Sequence, residues 1–181
     1  MNQRLTIYIG YILLIGLYSF LPTVNAAPGD LDTTFSLDGK LVDSILGNSS
    51  DQSQATAVQA DGKVVVAGTL TFGSRFGCGI ARYNTNGSFD ASFNGDGKTV
   101  GLINTTFTCR AVAIQTDGKI IVTGNVGSRT SADFALIRFN GNGSLDTTFD
   151  GDGKVTTPLS GYSNVLTLKS YQKGLGTQVS C

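Results

Sequence analysis

The chain has 181 residues, 40% of them hydrophobic, enough for one globular core, and its 13 basic and 13 acidic residues cancel with no run of either sign. Nothing in that balance attracts the phosphates of nucleic acid or an anionic membrane surface. Histidine is absent and every acidic residue is an aspartate, which removes Ser-His-Asp and Cys-His nucleophilic chemistry and the commonest metal ligand together.

Residues 1–26 differ in kind from the rest. Arg4 supplies a short positive start, Leu5 to Leu21 is an uncharged apolar run, and Pro22 ends it. Val24-Asn25-Ala26 then places small residues where a signal peptidase reads them, so cleavage is expected between Ala26 and Ala27. The alternative is an uncleaved anchor, for which the run lies at the short end of a membrane span. No later stretch is apolar enough to span, so no membrane segment is expected after cleavage.

Leu31-Asp32-Thr33-Thr34-Phe35 comes next, and the chain repeats it as Phe89-Asp90-Ala91-Ser92-Phe93 and Leu145-Asp146-Thr147-Thr148-Phe149, at spacings of 58 and 56 residues (31 to 89 and 89 to 145). Each copy leads to Asp-Gly-Lys, at Asp38, Asp96 and Asp152. A second block, Ala57-Val58-Gln59-Ala60-Asp61-Gly62-Lys63-Val64-Val65-Val66-Ala67-Gly68, returns from Ala113 to Gly124. Asp-Gly between β-branched runs is a hairpin signal, and a two-residue type I′ turn is expected there. Strands are predicted at about 55–59 and 63–69, and again at about 110–115 and 119–125. A third strand follows in each repeat, Gly79 to Asn84 and Ala135 to Asn140, ended by Asn86-Gly87 or Asn142-Gly143. A short fourth is read at Thr99-Val100 and Val155-Thr156. The fold class is therefore all-β: four-stranded antiparallel repeat units of about 56 residues, β-propeller-like but incomplete.

The combination Leu-Asp-x-x-Phe-x-x-Asp-Gly-Lys, Ala-Val-x-Gln-x-Asp-Gly-Lys and Ala-x-x-Arg-Tyr-Asn-x-x-Gly-Ser resembles the delta-60 repeat family of bacterial secreted and cell-surface proteins. The resemblance covers residues 28–157. It implies a propeller-like fold and carries no catalytic residues, since the family has no assigned activity. The expected organisation is a signal peptide at 1–26, a partial unit at 28–43, and full units at about 44–101 and 102–157. Residues 158–181 form a degenerate tail, because near residue 166 the chain reads Leu166-Thr167-Leu168-Lys169 in place of another Ala-Val-x-Gln strand. Truncation or a frame shift accounts for that, and completion by oligomerisation is the competing account.

The remaining features have two readings each. Cys78 and Cys109 lie in neighbouring repeats, either bonded in an oxidising compartment or separately buried. The five Asp-Gly-Lys turns (Asp38, Asp61, Asp96, Asp117, Asp152) read as turn chemistry. Arg82 and Arg138 sit inside apolar strands, and a lone buried guanidinium is costly, so bidentate pairs with Asp90 and Asp146 are expected. Asp146, Asp150 and Asp152 form an incomplete calcium-loop pattern lacking the distal acidic ligand, so no cofactor is expected and calcium is the one candidate. Asn48, Asn86, Asn104 and Asn142 are glycosylation sequons, two of them turn residues. Phe35, Phe93 and Phe149 read as core pegs between sheets in preference to a carbohydrate platform.

The functional expectation is an exported, non-enzymatic β-repeat module, secreted, periplasmic or on the cell surface. It would bind an unknown protein or glycan through loops 69–77 and 125–133, which differ between repeats. The alternative is a secreted carbohydrate-binding or carbohydrate-active protein using carboxylates. Uncovered sheet edges add a third expectation, self-association.

Overall fold

The computed structural model describes residues 27–45, 51–103, 106–128, 131–158, 169–173 and 176–180. The signal segment at 1–26 lies outside them. The chain divides into two compact parts, Met1–Asp30 and Leu31–Cys181. Of the first, only a turn is described, in which Asp30 N–H donates to Ala27 C=O at 2.9 Å.

The second part is all-β. Repeat one is a four-stranded antiparallel sheet in the order β1 (Gln52–Val58), β2 (Val64–Phe72), β3 (Arg75–Tyr83), β4 (Lys98–Gly101). Repeat two copies it with β5 (Phe107–Ile114), β6 (Ile120–Ser128), β7 (Ser131–Phe139) and β8 (Lys154–Thr157). A separate hairpin pairs β9 (Lys169–Lys173) with β10 (Gly176–Ser180). No helix among the described residues is long and apolar enough to cross a membrane.

The Asp-Gly turns differ from the type I′ expectation. Gly62 N–H reaches Gln59 C=O at 2.9 Å and Gln59 N–H reaches Lys63 C=O at 2.8 Å, and of the loop residues only Gly62, at φ 82°, lies in the left-handed region. This is a three-residue loop, a type I turn closed by a left-handed glycine. The aspartate side chain explains the choice: Asp61 Oδ1 accepts the Lys63 N–H at 3.2 Å, and the same bond recurs at Asp38, Asp96, Asp117 and Asp152.

The predicted loops 69–77 and 125–133 are largely strand. β2 runs to Phe72 and β3 starts at Arg75, paired through Thr71↔Phe76 and Phe72↔Arg75, so only Gly73-Ser74 turns. In repeat two the pairing reaches Ser128↔Ser131. The sequence differences in these segments therefore fall on strand ends, where Leu70 and Val126 are buried and Arg75, Phe76, Gly127 and Ser128 are exposed.

The core lies between the two sheets. Val65, Ala67, Cys78, Ile80 and Phe93 of repeat one are buried against Phe107, Cys109, Ile120, Val122, Ile137 and Phe139 of repeat two. Alternation along the strands produces this arrangement, since residues 65, 67, 78 and 80 share one face of their sheet. Cys78 on β3 and Cys109 on β5 are disulfide-bonded, Cα–Cα 5.0 Å, so the bond crosses from repeat to repeat inside this core. Thr69 of β2 reinforces the junction by accepting the Cys109 N–H through Oγ1 at 3.2 Å.

Candidate functional site

Each repeat gathers its polar side chains into one cluster. In repeat one, Asp90 N–H donates to Arg82 C=O at 2.9 Å, which brings the closing motif under β3. Asp90 Oδ2 then accepts Arg82 Nε at 2.7 Å and Lys63 Nζ at 2.9 Å, while Oδ1 accepts the Ser92 N–H at 3.0 Å and its hydroxyl at 2.7 Å. Arg82 Nη2 donates to Ser92 Oγ at 3.0 Å, and Nη1 donates across the junction to Gly141 C=O at 2.6 Å. The guanidinium lies over the Phe93 ring, 4.7 Å from its centre.

Repeat two builds the same cluster. Asp146 Oδ2 accepts Arg138 Nε at 2.6 Å and Lys119 Nζ at 3.0 Å, Oδ1 accepts the Thr148 N–H at 3.1 Å and its hydroxyl at 2.6 Å, and Arg138 covers Phe149 at 4.4 Å. One bond is missing: among the described residues, Arg138 Nη1 has no carbonyl partner such as Gly141 gives Arg82. The arginine partners are those the spacing implies, yet the pairs are not bidentate. Each guanidinium gives one nitrogen to the carboxylate and keeps others for a hydroxyl, and in repeat one for the next repeat's backbone.

Electrostatics favour the ionised aspartates. Burial alone would raise the Asp90 pKa, but the Ser92 hydroxyl and N–H, the Lys63 ammonium and the Arg82 charge outweigh it and hold the carboxyl well below the usual range. At Asp146 the Thr148 hydroxyl is the largest influence and Lys119 the next, with the same downward result. Asp32, in the leading fragment, is also lowered, first by the Thr34 hydroxyl, which bonds it at 2.6 Å, but among the described residues no arginine or lysine reaches it. The cluster is thus an ion-paired structural lock in two repeats and a bare carboxylate in the third copy.

Lys63 and Lys119 escape the sequence reading because Asp-Gly-Lys explains itself as a turn. The available signal was that both β1–β2 and β5–β6 hairpins carry the lysine at the same position, when a turn alone requires only Asp-Gly.

The calcium candidates are placed as follows. Asp146 is held by the cations and hydroxyl just described. Asp152 is exposed and accepts the Lys154 N–H at 2.9 Å. Asp150 is exposed at φ 50°. Among the described residues no group of three or more metal-ligating side chains converges. Asn86 and Asn142 serve their turns, each Oδ1 accepting the hydroxyl of Ser88 or Ser144 at 2.7 Å. Asn48 and Asn104 lie outside the described residues.

A cleft of about 430 Å³ lies between the leading fragment and the outer face of repeat one. Phe35, Val42 and Asp43 line it from the fragment side, and Val64, Val66 and Tyr83 from the sheet. Burial, and secondarily the Asp43 charge, pushes the Tyr83 phenol up to about 12.

A family model described as a β-propeller domain of unknown function (DUF5122) matches the chain twice, at residues 59–93 and 115–149. The chain carries two β-propeller-type repeats. Each match opens at the hairpin glutamine, Gln59 or Gln115, and closes on the motif phenylalanine, Phe93 or Phe149. The propeller-type repeat so delimited encloses lysine, arginine, aspartate and phenylalanine of one cluster, so the recurring unit of sequence is also the unit of the lock. No curated protein matches the chain.

Proposed function

We propose that the chain is an exported, non-enzymatic module of delta-60-type propeller repeats that acts by presenting a protein surface to a protein or glycan partner. The observation that carries this reading is the use of the recurring polar groups. The aspartates that appear once per repeat are engaged by backbone N–H groups, hydroxyls, lysine or arginine of the same chain. Asp90 and Asp146, held in that way by cations and hydroxyls, are poor general acids or bases, because their pKa is displaced further from neutrality. The Cys78–Cys109 bond supports export, since disulfides persist in oxidising compartments. The reading requires no resident cofactor. What the frame offers a partner is the hairpin tip at Gly73-Ser74 and the outer sheet faces, held on a disulfide-stapled scaffold.

The test is fractionation of cells expressing the chain, with N-terminal sequencing and a hydrolase panel. The expected outcome is a mature form starting at Ala27 outside the cytoplasm, disulfide-bonded, with no turnover of glycans, esters or peptides. Glycan hydrolysis lost on changing a single aspartate would instead establish the carbohydrate-active alternative.

A further inference from the structure

The two outer faces of the repeat pair are complementary, and the contact already made between repeat one and repeat two shows how they would fit. Repeat one presents Val65, Cys78, Ile80, Arg82 and Phe93 to its neighbour, all buried. The equivalents on repeat two, 56 residues on, are Ile121, Phe134, Leu136, Arg138 and Phe149, and all are only half-buried. On the receiving side, repeat two uses Ile120, Val122 and Phe139, all buried. The equivalents on repeat one are Val64, Val66 and Tyr83, which line the open cleft.

What covers that receiving face at present is the leading fragment. It repeats the junction chemistry in outline: Ser36 N–H donates to Asn86 C=O at 2.9 Å, as Asn94 N–H donates to Asn142 C=O at 2.7 Å. It fits poorly otherwise. Leu37 and Val42 are 93% and 96% exposed, Asp32 has no cation partner among the described residues, and the cleft remains beneath. Its motif Leu31-Asp32-Thr33-Thr34-Phe35 is residue for residue Leu145-Asp146-Thr147-Thr148-Phe149 of repeat two. Repeat two therefore carries, with its whole sheet and both cations, the same surface that the fragment offers without them.

We propose that copies of this chain associate head to tail. The outer face of repeat two in one copy docks on the cleft face of repeat one in the next, in the place held by residues 31–43. The docked copy would supply a turn carbonyl to Arg138 Nη1, as Gly141 does for Arg82, and would accept the Asp150 N–H, as Asn142 accepts Asn94. Such a contact joins two different surfaces, so it closes into a ring if the rotation per copy allows and otherwise grows as a filament. The surfaces are sheet faces, and the strand edges are not required.

The native disulfide sets the register for a test. Cys78 faces Cys109 across the existing junction; 56 residues on from Cys78 is Phe134, and 56 residues back from Cys109 is Ser53, which lines the cleft. Two singly substituted chains, Phe134→Cys and Ser53→Cys, each with Cys181→Ser, are mixed and oxidised. Correct folding of each is verified by the Cys78–Cys109 peptide in a non-reducing digest. The expected result is a covalent dimer linked 53 to 134, formed in the mixture and at least about tenfold above a control pairing of Phe134→Cys with Asp117→Cys, an exposed turn position on repeat two, outside the docking face of repeat one. Sedimentation velocity on the unsubstituted mature chain would show association that strengthens with Ser36→Pro, which removes the fragment's N–H to Asn86. Crosslinking no greater than the control, or a monomer at every concentration with both native-like folds intact, would overturn the proposal, as would a protein or glycan found seated on that face in preference to a second copy.

Discussion

At the scale of the residue, the two arginines are a matched pair that differ in one respect. Arg82 and Asp90 are each 7% exposed, and Arg82 completes a bond to the neighbouring repeat, whereas Arg138 is 19% exposed and lacks that bond. Removing one member of a buried ion pair leaves the other charge uncompensated, at a cost of several kcal/mol. Arg82→Met is expected to destabilise by about 3 kcal/mol, near the lower end of that range because Lys63 still reaches Asp90. Arg138→Met should lower the melting temperature less, and urea denaturation of the two variants side by side decides it. Equal losses would mean that the inter-repeat bond contributes nothing. The same cluster governs acid behaviour. The folded-state pKa of Asp90 is depressed below its ordinary 3.8, so its stabilisation is fully present above that value and is lost as pH falls below it. Asp90→Asn should flatten the acid limb while lowering stability at neutral pH. The arginine–aspartate pairing was legible from the spacing, because an arginine in an apolar strand requires a partner. Lysine's part was not, since nothing local marks a turn lysine as reaching a carboxylate 27 positions away (63 to 90).

At the scale of the element, period and turn chemistry carried the eight strands of the two repeats, and the misreadings came where one local pattern admits two geometries. Asp-Gly suits a two-residue hairpin and a three-residue one equally by composition. The aspartate's bond to the following lysine N–H selects the second, and that bond depends on the backbone it helps to form. Strand ends at 69–72 and 75–77 looked like loop because Gly73, Gly77 and Gly79 crowd the segment. Pairing across the hairpin overrode that local signal. The glycine that closes the second block has a separate reason. A Cβ on Gly124 would meet the Thr108 carbonyl of β5, beside the register shift between Cys109 and Ala111, so this position admits a backbone at close range. Gly124→Ala is accordingly expected to cost about 1–3 kcal/mol, from displacement of β5 against β6. Amide exchange should show the loss of protection concentrated in the first half of β5 and the second half of β6, which pair there. A loss confined to the β1–β2 hairpin, with β5 and β6 unchanged, would contradict this account.

At the scale of the whole molecule, two sheets of four short strands have a modest core, and most of it is the junction between them. A single sheet with one free apolar face has little independent stability. The repeats must therefore fold as a pair, and the covalent link between them is placed to hold that pair together. The alternation that buries residues 65, 67, 78 and 80 was readable as a pattern, but the partner surface was not, because strand period says which face is apolar and not what covers it. The cysteines were ambiguous for a related reason: two buried thiols and one disulfide have the same sequence when neither position recurs in the other repeat. The bond closes a loop with sequence separation 31, for which restriction of the unfolded chain gives about 3–4 kcal/mol. Cys78→Ala with Cys109→Ala should reduce stability by about that amount, and thermal melts should show the wild type with reductant falling toward the double variant. Two further outcomes separate the staple from simple packing. If the effect came from packing alone, reduction without substitution would leave the melt unchanged, because the thiols fill the same space. If the bond acts by tying the repeats, reduction will lower the amide protection of β1–β4 and β5–β8 together, in one transition at lower denaturant concentration, because neither sheet is stable without the other.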